Sequence, residues 1–165
     1  MRKARRFRSL AFAGLLLGAP LPLAPSVVAA PRLDYAERPV REFLKIHFAG
    51  SRDFTARGLD RKERFLSRRF RRGMYSFFER IAKTDSAPPL VTDPFTGSQG
   101  ATTYAIGDAR VRVEKARVPV RFSDGTNEWT LTYLLRNDLE RNDERWYIDD
   151  IEDRRGMLLS QVLRK

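Results

Sequence analysis

A chain of 165 residues, 42% hydrophobic and 32% charged, has the size of about one domain and enough apolar material to bury a core, which excludes a wholly disordered polypeptide. The formal charge of +11 favours anionic partners, while the absence of cysteine excludes a disulfide framework and a lipid anchor on a modified cysteine. With no cysteine and one histidine, no transition metal is expected.

The N-terminus has the three parts of a secretory leader. Arg2, Lys3, Arg5, Arg6 and Arg8 form a positive segment, residues 10–18 (LAFAGLLLG) an apolar run too short to span a bilayer, and Val27-Val28-Ala29-Ala30 a run of small residues for cleavage. Pro31 is a poor residue just after a cut, so cleavage is expected after Ala29, with Ala30 as the alternative. That gives a leader over 1–29, a short tail over 30–36 and a single domain over 37–165. Arg8 stands where a twin-arginine signal wants a large apolar residue, which favours general secretion. The mature chain is expected to be exported, periplasmic or secreted, with no transmembrane segment. Five basic residues leave with the leader, so 27 face 21 acids, and the surplus is local. Residues 57–83 hold ten basic and three acidic residues, whereas residues 138–153 hold eight acids and two arginines.

A first helix is predicted from Glu37-Arg38-Pro39, with proline in its first turn, Val40, Phe43, Leu44 and His47 at helical spacing, and Gly50 beyond its end. Asp60 and Glu63 resemble a capping box for a second helix with Leu66, Phe70, Met74, Phe77 and Ile81 on one stripe. Arg61, Arg64, Arg68, Arg71 and Arg72 fall opposite, and Gly73 marks a kink or break. Residues 84–100, with Pro88-Pro89, Asp93-Pro94 and Gly97, read as a loop.

Four strands follow. Residues 104–113 form the first, with Gly107-Asp108 as a bulge, and Glu114-Lys115 turn into the alternating Ala116, Val118, Val120 and Phe122. Asp124-Gly125 signals a hairpin into Trp129, Leu131, Tyr133 and Leu135 on one face. After a polar turn over 137–144, Trp146 and Ile148 point inward until Asp149-Asp150 breaks the period, and a short helix closes the chain over 157–163. The fold class is therefore α+β: N-terminal helices on a curved antiparallel sheet of about four strands, with a short C-terminal helix.

This order, ending in Trp146-Tyr147-Ile148-Asp149-Asp150-Ile151, resembles the nuclear transport factor 2-like superfamily of cone-shaped α+β domains. Together with Asp93-Pro94-Phe95 and Ala116-Arg117-Val118-Pro119-Val120-Arg121-Phe122, it resembles more narrowly the exported bacterial domain-of-unknown-function 3828 family. The resemblance implies helices over the concave face of a cone, a pocket at the open end and homodimerisation through the open sheet. It implies no single activity, because the superfamily hosts enzymes, small-molecule binders and adaptors.

Candidate chemistry is sparse. His47 with Asp149, Asp150 or Asp93 is the acid–base pair that an isomerase- or dehydratase-like pocket enzyme would need, as the resemblance implies; a helix-face histidine satisfied by backbone or water is the plainer reading. The Asp149-Asp150-Ile151-Glu152 run lacks the turn geometry of a hard-cation loop, and Gly97-Ser98-Gln99-Gly100 is not a phosphate loop, so neither metal nor cofactor is expected. Tyr104, Trp129, Tyr133 and Met74 are the candidates to line a cavity for a small apolar ligand. Arg64, Arg68, Arg71 and Arg72 are the candidates to dock an anionic envelope component or an acidic protein. Export, and basic residues not interleaved with exposed aromatics, argue against nucleic acid. The expectation is an exported non-catalytic small-molecule or protein binding module, with the pocket enzyme as its alternative.

Overall fold

The computed structural model describes residues 34–50, 52–84, 90, 92–137 and 145–165. The expected leader over 1–29, the Pro88-Pro89 pair and the polar turn over 138–144 lie outside the described residues. Among those described, no helix is long and apolar enough to cross a membrane.

Helix α1 (Asp34–Ala49) begins three residues before the predicted start and carries Pro39 within it. Val40, Phe43, Leu44 and His47 share its buried face, as their spacing requires. A short α2 (Ala56–Leu59) follows, with the Thr55 hydroxyl accepting from the Gly58 amide at 3.1 Å. The expected capping box at Asp60 and Glu63 does not start a helix. Residues Glu63–Phe65 form one 3₁₀ turn, and Leu66 is extended, bridging to Ile148 while the Ser67 amide donates to the Ile148 carbonyl. Ser67 caps α3 (Arg68–Thr84), its hydroxyl taking the Phe70 amide at 3.1 Å. The helix runs unbroken through Gly73, which lies on its outer side with nothing near its missing side chain.

The sheet is antiparallel and has five strands: β1 (Thr103–Ile106), β2 (Arg110–Arg112), β3 (Lys115–Ser123), β4 (Glu128–Asn137) and β5 (Trp146–Glu152). The first predicted strand is two, both on the same edge of β3, because Gly107 interrupts it. Its amide donates to the Pro119 carbonyl at 2.8 Å, and a Cβ there would press on the Pro119 ring. Ala116, Val118, Val120 and Phe122 of β3 and Leu131, Tyr133 and Leu135 of β4 are all buried, so the alternation in sequence is the alternation of faces. Each of the valine, leucine and phenylalanine side chains among them contributes roughly 1.5–3 kcal/mol on leaving water. Helices α1 and α3 cover this face, and α4 (Leu159–Val162) packs on β5.

The broken period at Asp149-Asp150 is a β-bulge. Leu134 pairs with Asp150 and Leu135 with Ile148, so Asp149 is the extra residue and Ile148 and Ile151 both reach the core. The bulge sends the two carboxylates different ways. Asp149 accepts from Ser67 Oγ at 2.5 Å and from Arg69 Nη2 at 2.8 Å, tying β5 to the start of α3. Asp150 accepts from the Ser160 amide at 3.0 Å and its hydroxyl at 2.5 Å, tying β5 to α4. Burial alone would raise the Asp149 carboxyl, but the bonds from Arg69 and Ser67 outweigh it and hold the pKa below the ordinary carboxylate range.

Candidate functional site

The sole histidine lies at the centre of a sealed polar chain. His47, on the buried face of α1, is 0% exposed, and its Nε2 is 2.6 Å from Oδ2 of Asp93, itself 1% exposed. Its Nδ1 is 3.1 Å from Nζ of Lys62, which is 2% exposed. An ammonium has no lone pair, so Lys62 donates to Nδ1, and this assigns the ring proton to Nε2, donating to Asp93. Burial pulls the Lys62 ammonium below its ordinary pKa, and the carboxylates of Asp93 and Asp53 oppose that fall. Asp93 also accepts from the Phe95 amide at 2.9 Å and from Thr96 Oγ1 at 2.8 Å. Both its oxygens are thus engaged, as a buried carboxylate needs.

Aromatic rings enclose this chain. Phe43 stacks on His47 at 6.0 Å between centroids, Phe95 meets the imidazole edge-on at 5.4 Å, and Phe48 does so at 5.9 Å. The Asp93 turn is held from the sheet side too: Tyr133 Oη donates to the Phe95 carbonyl at 2.7 Å and Trp129 Nε1 to the Thr96 carbonyl at 2.6 Å. Burial pushes the Tyr133 phenol well above its ordinary value near 10. Its pKa is higher folded than unfolded, so its contribution is whole below pH 10 and is lost as pH rises beyond that. Urea melts between about pH 9 and 11 should therefore show wild type losing more stability than Tyr133→Phe, which costs about 1 kcal/mol at neutral pH. Parallel curves would show that this phenol is not what titrates.

Of the aspartates weighed as partners for His47, the structure brings in Asp93. Asp149 and Asp150 are instead held by Ser67, Arg69 and Ser160. Lys62 was not legible as a site residue, since hydropathy places a lysine in solvent. The four aromatic and methionine candidates do not converge on one cavity. Met74 and Tyr133 are 0% exposed within the core, and Tyr104 is half-buried with its ring 4.9 Å from Phe48. Trp129 stacks on Phe122 and edges a groove of about 450 Å³ with Leu131, Ile151 and Leu159 as its floor and Arg154 and Arg155 at its rim.

The arginine candidates also separate. Arg71 lies 3.9 Å from Glu63, and Arg68 and Arg72 stay exposed on α3 on either side of Arg69, which was not among the candidates and is committed to Asp149. Arg64 instead joins Arg57 and Arg61 around a second groove, of about 530 Å³, between the end of α1 and the α2 segment. Lys62 and Gly58 complete its wall, and a Cβ on Gly58 would strike the Asp53 carbonyl. None of these three arginines forms an ion pair with a described residue, although Arg64 lies over the Phe65 ring at 4.8 Å. Among the described residues no three carboxylates or imidazoles gather to hold a metal ion.

No family model and no curated protein matches the chain. One solved structure with a similar chain is the selenomethionine crystal structure of the type VI effector–immunity complex Tae3–Tai3 from Ralstonia pickettii. The alignment covers 73% of this chain and 96% of that one, at 16% identity and a TM-score of 0.49.

Proposed function

We propose that the chain is an exported, non-catalytic binding module that docks an acidic protein at the groove of Arg57, Arg61 and Arg64. The observation that carries this reading is three guanidinium groups around one groove with no carboxylate partner among the described residues. Guanidinium forks match carboxylates two bonds at a time, and so favour a protein surface rich in aspartate and glutamate. The leader-like N-terminus and the resemblance to an exported family support the location. For the acid–base alternative, the needed imidazole and carboxylate do stand 2.6 Å apart, but both are shut from solvent and Lys62 takes the second ring nitrogen. A general base has to reach the proton it abstracts, and here rings of the core stand in the way.

Fluorescent poly-L-glutamate titrated at rising salt tests the site. The triple variant R57E/R61E/R64E should bind at least about tenfold more weakly than wild type, with a shallower salt dependence. Equal affinity would refute the groove as the docking site. Tighter binding to phosphatidylglycerol vesicles than to poly-L-glutamate would move the surface to anionic lipid.

A further inference from the structure

We infer that the β2–β3 hairpin is a second contact element, a preset plug that seats Val113 in an apolar pocket rimmed by carboxylates on a protein partner. Arg112 pairs with Lys115, so Val113 and Glu114 form a two-residue loop. Such loops require positive φ at their first position, which glycine or asparagine ordinarily supplies. Here the position holds valine at φ +50°, the sole non-glycine residue with positive φ among those described. A β-branched side chain there is strained, and strain of this kind gathers where a backbone must hold a fixed shape for function. The loop is braced from behind, because the Asn137 amide of β4 donates to the Glu114 carbonyl at 2.8 Å.

The same valine is 92% exposed, and Val111 beside it is 37% exposed. Neither the core nor the sheet gains from an aliphatic residue at this tip, so its use lies outside the chain. Beside it, on one face of the sheet, lie Arg110, Arg112 and Lys115, with Arg136 opposite Lys115 on β4, against Glu114 at the tip. An apolar tip flanked by basic residues complements an apolar pocket flanked by acidic ones. A lipid surface rewards charge and buried area but not a fixed dihedral, and one valine adds little area. Among the described acids of the 138–153 run, Asp149, Asp150 and Glu152 are already bonded to Ser67, Arg69, Ser160 and Arg117, so these three offer a second copy of this chain no acidic rim. The element lies towards the opposite end of α1 from the arginine groove, for the adjoining Ala109 amide donates to Glu37 Oε1 near the start of that helix. It shares with the proposed function the reading that the partner is an acidic protein.

The experiment places a photo-crosslinking benzoylphenylalanine at position 113 of the full chain, and at exposed Ser76 as control, in the cell that makes the protein. The cross-linked protein is identified by mass spectrometry, purified, and titrated calorimetrically. The adduct at 113, absent at 76, should map to a peptide with more carboxylates than basic residues. V113D and R110E/R112E should each weaken binding about tenfold or more. V113G should weaken it while raising the thermal midpoint by roughly 2–5 °C, because glycine relieves the strain but loses the plug. Full affinity in V113D, no adduct specific to position 113, or an adduct to lipid would each overturn the inference. So would loss, on V113D substitution, of co-sedimentation with phosphatidylglycerol vesicles. Because R57E/R61E/R64E leaves the hairpin intact, failure of the groove and failure of the hairpin read out separately.

Discussion

Replacing Asp93 with alanine is expected to cost about 3–5 kcal/mol of stability, read as a lower urea midpoint at unchanged slope. The substitution removes the acceptor for His47 Nε2, for Thr96 Oγ1 and for the Phe95 amide at one stroke. More importantly it removes one of the two carboxylates, Asp93 and Asp53, that offset the burial of the Lys62 ammonium, which is 2% exposed. Attraction to a counter-charge is what makes such burial tolerable, and breaking one side of a buried pair is far costlier than replacing both. Lys62→Met added to Asp93→Ala should therefore recover part of the loss, although each change is destabilising alone. A loss below about 1 kcal/mol for Asp93→Ala, or strictly additive losses in the double variant, would mean that the chain does not behave as one unit.

Phe43→Ala is expected to destabilise by a similar amount, about 3–5 kcal/mol, and to lower the thermal midpoint by about 10 °C or more. Phe43 is 0% exposed and packs on three rings, stacked on His47 and edge-on to Phe95 at 5.0 Å and Tyr133 at 6.2 Å. Truncation leaves a cavity beside the polar chain, so water gains a route to His47 as well as the core losing contacts. Phe43→Leu separates the two effects. It keeps most of the volume and should retain more than half of the stability lost in Phe43→Ala. Near-wild-type stability in Phe43→Ala would show that the sealed aromatic shell is not what holds the Asp93 turn against α1.

Much of the architecture is legible in the sequence because its signals are local and periodic. Ala116, Val118, Val120 and Phe122 alternate and are buried, and Phe70, Met74 and Phe77 follow helical spacing and are buried. The start of α3 departs from the local signal for an equally physical reason. Asp60 and Glu63 have the spacing of a capping box, but Leu66 is extended to bridge Ile148, and a residue committed to that bridge cannot also continue a helix. The single strand expected over 104–113 divides at Gly107, where close approach to Pro119 rather than any local propensity decides the geometry. The site was less legible still. His47 and Asp93 lie 46 residues apart and His47 and Lys62 lie 15 apart, and no spacing rule joins a helix to two loops. The strain at Val113 is likewise silent in the sequence, because a valine between Arg112 and Glu114 reads simply as the end of a strand.

The bulge at Asp149 has a bearing on the order in which the molecule can assemble. It makes the last strand a double clasp, with Ser67 lying 82 residues away on one side and Ser160 ten residues away on the other. Arg80 likewise reaches the Leu163 carbonyl across 83 residues. Contacts at such separations form late, since closing a long loop costs entropy before any contact repays it. The helical half therefore has no finished platform until the final strand arrives. A chain released N-terminus first would hold its helical half incomplete until β5 had emerged.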